Sequence, residues 1–154
     1  MAQRIMMVVT PETVTDNTRI ALEVARAARQ SGGVVRILYV TPIPPPRVDR
    51  YGRVVADTDR EMARIAAGAE EKLRVMAADL DGVPVERVVR FGGLSEEIAI
   101  EADAFGADLV ALAPMPSPAL GRRILGWRLG RLAAPSRGML LLLPPSAGMP
   151  VQPR

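Results

Sequence analysis

Five short segments rich in aliphatic residues constrain the fold of this chain more than any other feature. They are IMMVV at residues 5–9, VVRILYV at 34–40, VERVVRF at 85–91, ADLVALA at 107–113 and MLLLL at 139–143. Nearly continuous apolar runs of this length are typical of strands that are covered on both faces. The five segments therefore predict a buried sheet of parallel strands.

Helical segments separate these runs, because the apolar period changes there to three and four residues. Apolar residues recur at this spacing from Ile20 to Ala28, and they form a longer stripe in a helix predicted over residues 60–80. A third helix is predicted over residues 92–106, with acids at its start and glycine at its end, and a short arginine-rich helix near residues 126–134. The proline-rich segment 41–59 is predicted to be an irregular surface excursion.

Strands that alternate with helices imply right-handed crossovers and a doubly wound α/β sheet, here five-stranded and mainly parallel, with helices on both faces. We expect one domain over residues 1–144 and a disordered tail over residues 145–154. Such sheets bind ligands beyond the carboxyl ends of their strands, where the strand order reverses. The expected site therefore lies at residues 10–12, 41–46 and 113–120.

Composition narrows the chemistry, because the chain has no cysteine and no histidine. Disulfides, thiolate catalysis, the usual zinc ligands and Ser-His nucleophile pairs are excluded, so we expect no enzymatic activity and no metal site. No apolar run approaches the roughly 18 residues of a membrane span, and the N-terminus does not resemble a secretory signal. We expect a cytoplasmic protein without membrane association.

Charge is distributed unevenly along the chain. Residues 1–108 carry all 17 acids and 14 of the 20 bases, whereas residues 109–154 carry six bases and no acid, for net charges of −3 and +6. The basic C-terminal third could meet an anion such as phosphate, RNA or an acidic partner. A solvated basic face is the commoner explanation of such a segment.

The chain resembles the universal stress protein superfamily over nearly its whole length. The order of elements matches, as do TRIALEVA at residues 18–25, the long loop and helix after the second strand, and GGLSEEIAIEADAFGADLVALA at residues 92–113. The resemblance implies a Rossmann-like fold of the adenine nucleotide alpha hydrolase type. It also implies a nucleotide site, because many members bind ATP with an aspartate after the first strand and a glycine-rich motif after the fourth.

Compared with that motif, the chain keeps the spacing but not the residues. Thr10 stands in the place of the aspartate, Ala113 and Pro116 in the places of the first two glycines, Gly126 in that of the third, and Trp127 in that of a small hydroxyl residue. Prolines at 114, 116 and 118 have no N–H to donate to a phosphate, and an indole at 127 would fill space that the ligand needs. The resemblance thus implies a degenerate nucleotide site, lost or altered.

Four arginines in the same segment keep an alternative open, because arginine binds phosphate without help from glycine. They are Arg122, Arg123, Arg128 and Arg131. The leading hypothesis is a non-catalytic regulatory or interaction module of the stress response, without a cofactor. One alternative is an ATP- or AMP-binding switch that uses magnesium, a divergent phosphate loop and these arginines. Another is an adaptor that binds an anionic protein or RNA through the basic C-terminal third, although few aromatic residues are present to stack on bases.

The fifth predicted strand bears on assembly, because an apolar strand at an open sheet edge invites pairing with another chain. The family resemblance places this strand at the edge and implies dimerisation through it. We therefore predict a homodimer through Met139, Leu140, Leu141, Leu142 and Leu143. A strand that serves only the core is the alternative.

Overall fold

The computed structural model describes residues 2–13, 18–112 and 139–142. Within these ranges the chain forms seven strands and three helices. In chain order they are β1 (Arg4–Val9), α1 (Thr18–Ser31), β2 (Val34–Thr41), β3 (Arg47–Val48), β4 (Val54–Ala56), α2 (Thr58–Ala78), β5 (Val85–Phe91), α3 (Leu94–Phe105), β6 (Leu109–Leu112) and β7 (Met139–Leu142).

Five of these strands form one sheet in the order β5-β2-β1-β6-β7, and every neighbouring pair is parallel. Met7 of β1 lies opposite Ile37 of β2 on one side and Ala111 of β6 on the other. The predicted α/β fold with a parallel doubly wound sheet is confirmed. The chain adds strands outward from β1 first through β2 and β5, then through β6 and β7, so the order reverses between β1 and β6.

Two apolar layers enclose the sheet. Ile5, Met7 and Val9 of β1 pack on the side of α1 and α2, whereas Met6 and Val8 pack with α3 on the other side. Successive strand residues point to opposite faces, and all five of these side chains are fully buried. Burial on both faces is the reason that β1 is apolar at every position rather than at alternate ones.

The helices follow the predicted apolar stripes. In α2, Ala69, Leu73 and Met76 are buried, while Met62 and Ile65 near its start are half-buried. The helix begins two residues before the predicted start, since the Asp57 side chain accepts a hydrogen bond from the Arg60 N–H and caps it. Helix α3 ends at Gly106, whose φ of 68° suits glycine.

The segment between β2 and α2 differs from the prediction. It was expected to be irregular, but Arg47–Val48 and Val54–Ala56 pair antiparallel as a second, two-stranded sheet. The tight turn has a local cause, because Asp49 Oδ1 accepts hydrogen bonds from the N–H groups of Tyr51 and Arg53 at 2.8 and 3.0 Å. The prediction of irregular structure is therefore wrong at Arg47–Val48 and Val54–Ala56.

Several predicted features lie outside the described residues. These are the short helix near residues 126–134, the tail at 145–154 and Leu143 at the end of the fifth predicted strand. Leu109–Leu112 pairs with Met139–Leu142, so among the described strands β7 takes the edge position that was expected. None of the described helices has the length and apolar character that a bilayer crossing requires.

Candidate functional site

The carboxyl end of β1 lies beside the point where the strand order reverses, which is where doubly wound sheets bind ligands. A four-residue turn closes the strand there, as the Thr13 N–H donates to the Thr10 carbonyl at 3.1 Å. Pro11 occupies the second position of this turn, where its fixed φ favours the bend. Thr10 and Thr13 are both 4% exposed, so their hydroxyls sit beneath the surface at the strand end.

The two threonines satisfy each other. The Thr10 N–H donates to Thr13 Oγ1 at 2.9 Å, and the two hydroxyl oxygens lie 3.2 Å apart. If Thr10 donates its hydroxyl proton to Thr13, the Thr13 hydroxyl can donate to the Thr10 carbonyl at 3.5 Å. This arrangement uses both hydroxyl protons inside the turn and presents oxygen lone pairs rather than a carboxylate charge.

The end of β2 adds a tyrosine and a third threonine. Tyr39 lies opposite Val9 of β1 and is 5% exposed, and Thr41 is also buried. Burial raises the pKa of the Tyr39 phenol above its ordinary value, and the negative charge of Glu12 raises it further. Tyr39 is therefore a neutral hydroxyl at physiological pH.

The turn from β5 into α3 completes this edge of the sheet. The Gly92 N–H donates to the Thr41 carbonyl at 3.0 Å, and Gly92 has a φ of +153°. A Cβ at Gly92 would lie 2.6 Å from Glu97 Oε1, and one at Gly93 would lie 2.2 Å from Glu96 Oε2. The positive φ of Gly92 favours glycine there, whereas at Gly93 the glutamate side chain could move aside.

These strand ends can form hydrogen bonds, but they carry no positive charge. Residues 10–13, 39–46 and 91–93 contain hydroxyls, a phenol and the Glu12 carboxylate, and no arginine or lysine. A phosphate bound at this edge would need cations from elsewhere in the chain. The candidates from the sequence are Arg122, Arg123, Arg128 and Arg131, which lie outside the described residues.

The remaining sequence-predicted positions of the nucleotide motif also lie outside the described residues. They are Ala113, Pro116, Gly126 and Trp127, so of the predicted site only Thr10 has a described environment. Ala113 directly follows Leu112, the last residue of β6, and β6 is the neighbour of β1 across the reversal in strand order.

A charge cluster between the sheet and α3, centred on one buried carboxylate, was not predicted from the sequence. Glu101 of α3 is 6% exposed and accepts hydrogen bonds from Arg36 Nη1 at 3.0 Å and Arg90 Nη1 at 2.6 Å. Arg36 also binds Glu86, its neighbour across β2 and β5, and Arg90 also binds Glu97. The available signal was the arginine at the centre of VVRILYV and the glutamate at residue 101 of the otherwise apolar helix face.

The cluster keeps its arginines charged. The hydrogen bond to Glu97 and then that to Glu101 raise the pKa of Arg90 above its ordinary value. For Arg36, burial works to lower the pKa, but hydrogen bonds to Glu86 and Glu101 outweigh it and raise the value. These guanidinium groups bridge β2, β5 and α3, so the cluster fixes the helix against the sheet.

Comparison with known proteins agrees with this architecture. The sequence profile of the Universal stress protein family matches residues 1–137. Universal stress protein G of Shigella flexneri is 29% identical over 108 residues, which make up 69% of this chain and 74% of that protein.

Two solved structures share the fold at low sequence identity. A universal stress protein in complex with cAMP has a TM-score of 0.59 at 18% identity, covering 95% of this chain and 100% of that chain. The universal stress protein from Archaeoglobus fulgidus in complex with dAMP has a TM-score of 0.58 at 14% identity, covering 92% and 97%. The profile match over most of the sequence decides the assignment: this chain belongs to the universal stress protein family.

Proposed function

We propose that this protein is a non-catalytic, cytoplasmic module of the stress response that acts by regulating or binding a partner protein. Its nucleotide site is lost or altered, so it does this without a bound nucleotide. The observation that carries the proposal is the closed pair of threonines at the end of β1. Thr10 occupies the position of a nucleotide-binding aspartate, and its N–H and hydroxyl contact Thr13 instead of presenting a carboxylate charge.

Electrostatics support the same conclusion. Residues 10–13, 39–46 and 91–93 contain no arginine or lysine, and the Glu12 carboxylate contributes a negative charge close to Tyr39. A nucleotide phosphate would meet like charge at these residues, so any compensating cation would have to come from outside them. From the sequence alone, the prolines at 114, 116 and 118 remove three backbone N–H donors from the segment that follows β6.

A nucleotide-dependent switch is the second candidate function. It is favoured by the fact that proteins of the same fold have been solved with cAMP and with dAMP. In this chain the phosphates would be held by arginines of the 122–131 segment, with magnesium as a partner of ATP. Such a site would replace backbone donors with guanidinium groups.

A thermal-shift series separates the two candidates. We expect the melting temperature of the purified protein to stay unchanged in millimolar ATP with magnesium, in AMP and in cAMP, since a ligand that does not bind cannot stabilise the folded state. The control is a variant with Arg122, Arg123, Arg128 and Arg131 all replaced by alanine. Saturable stabilisation of the wild type that this variant loses would reject the proposal and support the arginine-based switch.

Homodimerisation through β7 is part of the proposal, and the two sheet edges differ in a way that supports it. The β5 edge carries Glu86, Arg87 and Arg90, and charged side chains on an edge strand discourage pairing with another chain. The β7 sequence MLLL has no charge. We expect light scattering to give twice the 16.5 kDa chain mass at micromolar concentration, and a monomer there would contradict pairing through β7.

A further inference from the structure

Exposed apolar side chains are concentrated on one small feature, the ribbon formed by residues 43–56 that includes β3 and β4. The described residues have eight large hydrophobic side chains that are strongly exposed, and five of them belong to this ribbon: Ile43, Val48, Tyr51, Val54 and Val55. Tyr51 at its tip is 72% exposed. Val48 and Val54 lie opposite each other across the two strands, and exposed apolar side chains grouped in this way often mark an interaction site.

The same ribbon is basic. It carries Arg47, Arg50 and Arg53 against a single acid, Asp49. The guanidinium carbons of Arg50 and Arg53 lie 5.6 and 5.2 Å from the centroid of the Tyr51 ring. Arg53 is paired with Asp49, whereas Arg50 makes no ion pair among the described residues. The tip therefore presents an aromatic ring flanked by positive charge.

The ribbon is also held in one shape. Asp49 accepts hydrogen bonds from the N–H groups of Tyr51 and Arg53 and binds the Arg53 guanidinium at 2.8 Å. The Arg53 N–H is the main reason that the pKa of Asp49 lies below its ordinary value. At the base of the ribbon, Arg47 contacts the buried carboxylate of Glu61 on α2 at 3.3 Å. A surface ordered before binding loses little conformational entropy when a partner docks.

We propose that the ribbon docks an extended segment of a partner protein that combines aliphatic and acidic side chains. The aliphatic side chains would cover Val48 and Val54, which lie opposite each other, and the acids would pair with Arg50 beside Tyr51. This inference names the partner chemistry for the proposed interaction role, and it does not depend on whether the nucleotide site is occupied.

Three other ligands would complement the positive charge and exposed apolar side chains of the ribbon less well. Nucleic acid offers phosphates to the arginines but no aliphatic complement to the valines. A second copy of the ribbon would set arginines against arginines. The C-terminal third of this chain has a net charge of +6, so it would be repelled by the ribbon as well. A protein segment with acidic and aliphatic side chains complements both the positive charge and the exposed apolar side chains of the ribbon.

The test is a selection from a display library of random short peptides with the full-length chain as the target. We expect the enriched peptides to combine aliphatic residues with a net negative charge. The affinity of synthetic versions of these peptides is measured by fluorescence anisotropy. We expect the variants Arg50→Glu and Tyr51→Ser to bind them about tenfold or more weakly than the wild type does. Both positions are exposed, and Asp49 and Gly52 are left in place, so the turn should keep its fold.

Two control variants match these changes elsewhere on the surface. Arg26→Glu reverses an exposed arginine on α1, and Val75→Ser removes an apolar side chain on α2 that is 59% exposed. Neither control should change peptide affinity. Equal losses in controls and ribbon variants would overturn the proposal, because binding would then follow overall charge or hydrophobicity.

Three other results would show that the ribbon does not bind an acidic protein segment. Ribbon-dependent binding of a single-stranded RNA without binding of acidic peptides would replace a protein partner with nucleic acid. Self-association that disappears in Arg50→Glu would make a second copy the occupant. Enrichment of no ribbon-dependent peptide would overturn the proposal, while the thermal-shift result with nucleotides would still stand by itself.

Discussion

Replacing Glu101 with glutamine should destabilise the fold, because this carboxylate ties α3 to two strands. Its side chain is 8% exposed, and those of its partners Arg36 and Arg90 are 20% and 33% exposed. Removing one member of a fully buried pair costs about 3–5 kcal/mol. Here each arginine keeps a second carboxylate, Glu86 or Glu97, and partial contact with water.

We therefore expect Glu101→Gln to lower the free energy of unfolding by about 2 kcal/mol, which is below the range for a fully buried pair. For a domain of this size, that corresponds to a fall in melting temperature of roughly 4–8 °C. The assay is urea unfolding followed by far-UV circular dichroism, with the free energy obtained by linear extrapolation.

The matched control is Glu71→Gln, the same substitution in an exposed ion pair. Glu71 lies 2.6 Å from Arg74, and both side chains are more than 60% exposed. Surface pairs contribute about 0–1 kcal/mol, so we expect only a small loss of stability in this variant. Equal losses in the two variants would refute the reasoning, since burial would then contribute nothing to the strength of the cluster.

Two further perturbations test the strand-end region. Gly92→Ala should destabilise the fold by about 1–3 kcal/mol, because alanine is strained at a φ of +153° and its Cβ would meet the Glu97 side chain. By contrast, a Cβ at Gly68 on α2 would meet no other atom, so Gly68→Ala should stabilise the fold by about 0.5–1 kcal/mol. Chemical denaturation of both variants checks this pair, and a stable Gly92→Ala protein would contradict the described turn. For Tyr39 the folded-state pKa is raised, so its contribution to stability is complete below the unfolded value of about 10 and is lost as pH rises through the folded value. Tyr39→Phe should remove this part of the alkaline loss above about pH 10, the unfolded-state value, and an unchanged pH profile would count against it.

The parallel sheet could be predicted because its signal is local and strong. In β1 every core residue from Ile5 to Val9 is apolar, which only a strand covered on both faces requires. The position of Thr10 could also be predicted, since the alternation of strands and helices places this residue at the carboxyl end of β1. The closing of Thr10 on Thr13 could not be foreseen, because it depends on the side-chain rotamers of the two threonines, which the sequence does not specify.

The charged features were missed for physical reasons. Arg36 and Glu101 are 65 positions apart in the sequence. A prediction based on hydrophobic periodicity places charged residues in solvent, so it gives no reason to expect these two side chains to form an ion pair. The ribbon was missed because the three prolines at 44–46 argue for irregular structure, whereas Asp49 and Gly52 supply the turn that brings the two short strands together.

Isothermal titration of the full-length protein with ATP and magnesium, and separately with AMP, tests the central claim most directly. Because Thr10 is closed on Thr13 and residues 10–13, 39–46 and 91–93 include no basic side chain, we expect no saturable heat at millimolar nucleotide. Saturable binding with a dissociation constant in the micromolar range would contradict the proposal that the nucleotide site is lost.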